Sequence, residues 1–275
     1  MQRPTPKPVI VCADDFAFNE PVSLAVVELA KLGRVSATSA MVLSPRWPGD
    51  AAMLRDVRGS IDVGLHLDWT SPLAVAAGHG LSLSRAMLRS LPGGFDAMHV
   101  TQVIARQLDA FEAAWTAPPD HVDGHQHVHQ FAGIREPLLE LLDRRYGAGA
   151  GPYLRISRPG RGAGLKGMVI GSMGATAMAA GARERARNAS PVLTGLYGFD
   201  GSSADYASRA LRWLRDAPAG AVLMCHPAVQ ALPGDGIGEA RRREFEFWRS
   251  DRASEVLGQA GAAPARGPAP SRFAH

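Results

Sequence analysis

Two kinds of segment alternate along the chain. Short, nearly continuous apolar runs read as buried parallel strands at 9–16, 37–43, 61–67, 153–156, 192–199 and 221–227. Between them, apolar residues recur at three- and four-residue spacing, which predicts helices. Asn19 is placed to cap the first of these, with Pro21 in its first turn and Gly33 as its stop. Further helices are expected over 48–55, over 101–115, over 134–146 ahead of Gly147, from Ser202 or Ser203 to 214, and as one long helix over 239–259. From 70 to 99 no period survives, and this stretch reads as an insertion or lid over a site. The segment 158–190 is rich in Gly, Ala and Arg around an ambiguous piece at 168–180, and 260–275 reads as a disordered tail. The strand–helix rhythm predicts an α/β fold with one domain over 1–259 and about seven βα units, an irregular TIM-like (β/α) barrel. No glycine-rich phosphate fingerprint follows the first strand, which disfavours an open dinucleotide-binding sheet.

Composition narrows the picture. With 275 residues and 46% apolar content, the chain can bury one large core. Its two cysteines, Cys12 and Cys225, lie inside strand-like runs and are expected to be buried thiols. No apolar run reaches the length needed to span a membrane, and the first residues show no apolar signal region, so a cytoplasmic protein is expected. The net charge is +4, with arginines at 183, 185 and 187 and at 241–243. These are expected on solvated helix faces rather than against nucleic acid. A homodimer is left open.

Candidate chemistry gathers at the strand ends. The first strand runs into Asp14 and Asp15, and burying two adjacent carboxylates without a partner is costly, which points to a cation; the alternative is a capping Asp beside a solvated neighbour. Other strands end in His66, in the run 121–129 and in His226, and the carboxyl ends of barrel strands converge on one face. Asp123, His125, His127 and His129 are spaced by two. If extended, they share one face of a strand over about 20 Å, so one ion takes at most one or two of them. Asp14 and Asp15 should face opposite sides unless the chain turns between them. Two histidines and one carboxylate with open positions suit a catalytic divalent cation.

The segments Ala13-Asp-Asp-Phe16, Val63-Gly-Leu-His-Leu67, His121-Val-Asp-Gly-His-Gln-His-Val-His129 and Cys225-His-Pro227 resemble, in order, the motifs of the YdjC-like carbohydrate deacetylases. The resemblance covers about residues 9 to 250. It implies a TIM-like barrel, one divalent metal ion (Mg or Zn, with Mn also allowed) and hydrolysis of the linear amide of an N-acetylated sugar. The expected substrate is a chitooligosaccharide or another N-acetylglucosamine-containing glycoside or glycolipid. Members linked to hopanoid lipid synthesis share the motifs. By motif, Asp15, His66 and His125 become metal ligands, Asp14 the general base and His226 the general acid, acting near pH 7. His127, Arg155 and Trp69 are expected to contact substrate. The family often has Gly where this chain has Ala17 and Ala228, and 160–200 matches poorly.

Three rival readings remain: another metal-dependent barrel hydrolase such as a phosphoesterase, a non-catalytic metal- or sugar-binding protein, and a purely structural role for the histidines. A phosphoesterase would favour more carboxylates and a second metal. A binding protein would not need Asp14 and His226.

Overall fold

The computed structural model describes residues 5–91, 94–161 and 163–268. Its strands and helices alternate as the apolar pattern predicts. Strand β1 (Lys7–Phe16) leads into helix α1 (Glu20–Lys31), where the Asn19 side chain accepts from the Val22 amide at 3.0 Å and so caps the first turn. Then follow β2 (Ala37–Ala40), α2 (Trp47–Met53) and β3 (Asp62–Leu67). The 70–99 stretch forms α3 (Pro72–Ala76), α4 (Leu83–Arg89) and the start of α5 (Ala97–Trp115). Next come β4 (His121–Gly124), α6 (Arg135–Tyr146) and β5 (Tyr153–Leu154). The ambiguous region resolves into α7 (Gly164–Ser172) and α8 (Ala175–Glu184), ahead of β6 (Leu193–Thr194). The chain continues through α9 (Ser203–Asp216) and β7 (Val222–Cys225).

The single helix expected over 239–259 is two helices, α10 (Gly238–Arg249) and α11 (Asp251–Ala260). Extended backbone at Ser250 (φ −80°, ψ 162°) breaks it. The expected tail is likewise structured up to residue 268. Strand β8 (Ala262–Pro264) pairs with the start of β1, and Arg266 Nε meets Asp62 Oδ1 at 2.6 Å. Residues 269–275 lie outside the described part.

Strands run in the order β5-β4-β3-β2-β1-β7-β6, each paired parallel to its neighbours. Isolated parallel bridges, Leu154 with Ala189 and Pro159 with Leu193, join the chain around β5 to the chain around β6. The pattern is α/β, but it is not a set of equal βα units: β5 and β6 have two residues each, and β8 stands off the main path. Among the described residues, no helix is long and apolar enough to cross a membrane.

Strand alternation decides which residues face the interior. Val9, Val11 and Ala13 pack in the large core beneath the helices, whereas Ile10 and Cys12 join Tyr153, Leu193, Val222 and Met224 in a second cluster. Asp14 continues the Ile10–Cys12 face and points into that interior. Gly64 in β3 permits a close approach: a Cβ there would meet the His121 ring at about 2.3 Å. Cys12 and Cys225 are free and buried, as expected.

Candidate active site

The carboxyl ends of β1, β3, β4 and β7 deliver the site. β1 kinks where it matters. Its register with β2 shifts between Ala13 and Phe16, and Asp15 adopts a left-handed backbone (φ 66°). That turn swings Asp15 to the same cavity as Asp14, so the two neighbours do not face opposite sides. Ala17 also has a positive φ (69°), a conformation that favours glycine; here the chain holds it with alanine. Ala228, the other small-residue difference, is not among the described residues with positive φ and fits unstrained.

Asp15, His66 and His125 each bring one donor atom within 4.8 Å of the others. Asp15 Oδ1 lies 3.2 Å from His125 Nδ1 and 3.5 Å from His66 Nε2. The far side of His66 is fixed. Its Nδ1 meets Asp123 Oδ1 at 2.5 Å, which orients the ring and leaves Nε2 facing Asp15. A carboxylate behind a histidine in this way is the usual outer support of a metal-binding imidazole. Burial alone would lower the His66 pKa, but Asp123, then Asp14 and Asp15, outweigh it and raise it to about 9. The donor set therefore fits a divalent cation by type, convergence and outer support.

Asp14 is held separately. Arg155 grips both its carboxylate oxygens, with Nη2 to Oδ2 at 2.8 Å, and forms an ion pair through Nε with Asp123 at 2.7 Å. Arg155 is 1% exposed and does not line the cavity, so it is not the substrate contact expected from sequence. Two carboxylates close around its guanidinium and keep it beneath the site. Trp69 corrects the same way: it is buried edge-on to His79 and offers no face to the cavity. His127 does line the cavity, with Nδ1 2.9 Å from Ser157 Oγ.

The histidine run does not stay extended. β4 ends at Gly124, a 3₁₀ turn covers His125–Gln130, and Gln126 (φ 51°) and His127 (φ 64°) reverse the chain. One shared face over the run is therefore not what forms. His125 stays at the cavity, while His129 is buried with Nε2 2.9 Å from the Arg155 carbonyl.

His226, at the end of β7, lines the cavity with Nε2 4.0 Å from Asp14 Oδ2. Burial pushes its pKa down to about 4, against the pull of Asp14 and Asp15, so the imidazole is neutral at pH 7. The expectation of a histidine titrating near 7 is corrected by that desolvation.

Two residues of α10 belong to the site and escaped sequence reasoning. Arg241, expected on a solvated face, is 4% exposed. Its Nη2 donates to Asp15 Oδ2 at 2.7 Å and its Nε to Asp235 at 2.9 Å, while Nη1 is buried and finds no acceptor among the described residues. Burial opposes the ionised form of Asp15, but Arg241 and then His125 hold its carboxyl well below the usual range. Glu244, one turn on, is buried and accepts from the His226 amide at 2.6 Å and the Tyr197 hydroxyl at 2.5 Å; burial raises its pKa to about 7. The signal was their spacing of three on a helix whose same side carries Ala240, Phe247 and Trp248. Arg187 is also buried, against Asp143 at 2.7 Å, whereas Arg242 is solvated as expected.

A second convergence, Cys12, His121 and Asp123, lies just below. Ser39 Oγ already bonds His121 Nε2 at 2.9 Å and Asp123 Oδ2 at 2.7 Å, and the Arg155 guanidinium is 3.5 Å from Cys12 Sγ. With its donors so engaged and a cation alongside, this cluster serves as the buried support of the site.

The fold and the site together describe an α/β protein with a convergent carboxylate–histidine group, able to hold a metal ion, at the carboxyl ends of parallel strands. The YdjC-like protein family model matches residues 8–259, and the chain belongs to that family. It is 26% identical to a chitooligosaccharide deacetylase of Yersinia enterocolitica, over 93% of this chain and 96% of that protein. It is 30% identical to one of Serratia marcescens over 55% of this chain, a match spanning 60% of that protein. Among solved structures, a protein of Enterococcus faecalis V583 described provisionally as a cellobiose-phosphate cleavage protein superposes with a TM-score of 0.69. The identity is 19%, and 95% of this chain and 97% of that one are covered. The Xyl-CE4 domain of a xylanase from the hindgut metagenome of Trinervitermes trinervoides gives 0.50 at 9% identity, over 95% and 87%. Both likenesses concern the fold.

Proposed function

We propose that the protein is a metal-dependent carbohydrate N-deacetylase, built on an irregular (β/α) barrel, that removes an acetyl group from an N-acetylglucosamine-containing glycoside. The observation that carries the reading is the pairing of a three-donor set, Asp15, His66 and His125, with a separate carboxylate, Asp14, at one cavity. The family and the names of its curated members support the substrate class. A divalent cation held by those three residues supplies a Lewis acid that polarises a carbonyl and acidifies water; Mg, Zn and Mn all suit the ligand types.

The chain's own residues do the rest. Asp14, fixed by Arg155, takes a proton from the attacking water. His226 enters neutral, so the proton it hands to the departing amine is one gained during the reaction; Asp14, 4.0 Å from Nε2, is placed to supply it. Glu244 fixes the His226 backbone. Arg241 keeps Asp15 ionised. No serine or cysteine nucleophile is needed: among the described residues, the cavity lining contains neither residue type.

The reading makes a pH-dependent prediction. With its pKa raised to about 9, empty His66 carries a proton at pH 7, and a cation must displace it. Binding should release close to one proton per ion at pH 7, and affinity should rise with pH by up to about tenfold per unit until about pH 9. Calorimetry in two buffers of different ionisation enthalpy measures this. Proton release near zero would show that His66 is already neutral.

The function itself is tested on a panel of acetamido sugars and phosphate esters with metal-loaded protein. Acetate and free amine should appear with the glycosidic bonds intact. Faster phosphate release than deacetylation would favour the phosphoesterase alternative.

A further inference from the structure

The proposed chemistry asks His226 to present one ring nitrogen to the departing amine, so its ring must be held in one orientation. Two other histidines of the cavity are held through a ring nitrogen: His66 Nδ1 meets Asp123, and His127 Nδ1 meets Ser157 Oγ. His226 lacks that support. Glu244 pins its backbone amide, but its Nδ1 is buried and meets no hydrogen-bond partner among the described residues. Its Nε2, 4.0 Å from Asp14 Oδ2, is the nitrogen turned to the site.

Phe199, which also lines the cavity, stands against that ring. The two rings meet edge to face, with centroids 5.3 Å apart and planes at 81°. A strained loop, Gly198-Phe-Asp-Gly201, puts it there. Glycine stands at both ends, yet Phe199 itself has a left-handed backbone (φ 63°), an outlier for a bulky side chain. Such strain persists only where the surroundings enforce it. Here two arginines do so: Arg243 Nη2 donates to the Phe199 carbonyl at 3.0 Å, and Arg209 Nη1 to the Asp200 carbonyl at 3.0 Å. Tyr197 links the two supports of His226. Its ring centroid lies 5.0 Å from that of Phe199, and its hydroxyl donates to the Glu244 carboxylate that holds the His226 amide.

Resting on the deacetylase reading for the role of His226, we infer that Phe199 is a positioning residue whose ring fixes the orientation of the His226 side chain in place of a hydrogen bond to Nδ1. A carboxylate at that position, like the one behind His66, would favour the charged imidazole. A hydrocarbon ring orients the imidazole and leaves it neutral.

The test pairs Phe199→Gly with Phe199→Tyr. Glycine adopts a left-handed backbone readily, so the loop keeps its path while the ring is lost, and tyrosine restores the ring. Phe199→Leu repeats the comparison with apolar bulk kept. In metal-loaded protein, Phe199→Gly should lower kcat for acetate release from diacetylchitobiose by about 10–100-fold, a part of the usual worth of general acid–base catalysis, with KM nearly unchanged. Phe199→Tyr should recover most of that loss. Rotamer averaging of the His226 side chain is read separately, from three-bond couplings to its Cγ in isotopically labelled protein, with His226→Gln assigning the resonance. A single rotamer is expected in the unaltered protein and in Phe199→Tyr, and averaged couplings in Phe199→Gly. Couplings that stay those of one rotamer in Phe199→Gly and Phe199→Leu, a loss confined to KM, or no recovery in Phe199→Tyr overturns the inference. Absence of acetate with the unaltered protein overturns the deacetylase reading instead, and the couplings still decide whether Phe199 holds the His226 side chain.

Discussion

Asp15→Asn, His66→Ala and His125→Ala are each expected to lose stoichiometric metal and nearly all activity. Each residue supplies one donor to a set of three, and among the described residues no fourth His, Cys, Asp or Glu donor stands in the group. Outer supports of a metal are typically worth 10–100-fold in affinity or activity, so losing a ligand itself should cost roughly 10²-fold or more. Asparagine at 15 keeps the shape and tolerates the left-handed backbone, so the loss would report the carboxylate charge rather than misfolding. His129→Ala is the control. Its ring faces the Arg155 carbonyl, and metal content should be unchanged. Metal analysis of the four purified variants reads the outcome, and full occupancy in His125→Ala would refute the ligand assignment.

Asp14→Asn should separate binding from chemistry. The metal should stay, because Asp14 is outside the converging donor set, while turnover falls by about 10²–10⁴-fold, the usual worth of general acid–base catalysis. Arg155 keeps Asp123 as an ion-pair partner, so its buried charge is not left unpaired. If the variant loses metal instead, the two aspartates have exchanged roles.

Much of this site is legible in the sequence because it sits where apolar runs stop. Asp14, Asp15, His66 and His226 each end a strand, and strand ends in a parallel α/β sheet share a face. Sequence reasoning failed where backbone geometry overrides periodicity. The alternation of Asp123, His125, His127 and His129 predicts one face only for an extended chain, and the positive φ of Gln126 and His127 is not encoded in residue type. Arg155 is a different case. An arginine near a predicted cavity reads as a substrate contact, but two buried carboxylates, remote in sequence, claim it first. Arg241 was hidden by its neighbours: among three consecutive arginines, only the helix phase tells which one turns inward. The cavity-lining residues of α4 and α7 come from the stretches with the weakest periodicity, so their place emerged only with the fold.

With one cation held by Asp15, His66 and His125 and with Asp14 beside it, the protein is expected to remove acetyl groups from an amino sugar. The most direct measurement follows acetate and free amine together while metal-free protein is titrated with Zn²⁺, Mn²⁺ or Mg²⁺ in the presence of diacetylchitobiose and octyl N-acetylglucosaminide. Equal amounts of the two products are expected from at least one substrate, with activity that saturates at one ion per chain and is lost on chelation. Deacetylation that proceeds undiminished in the stripped protein, or cleavage of the glycosidic bond in place of the amide, would contradict it.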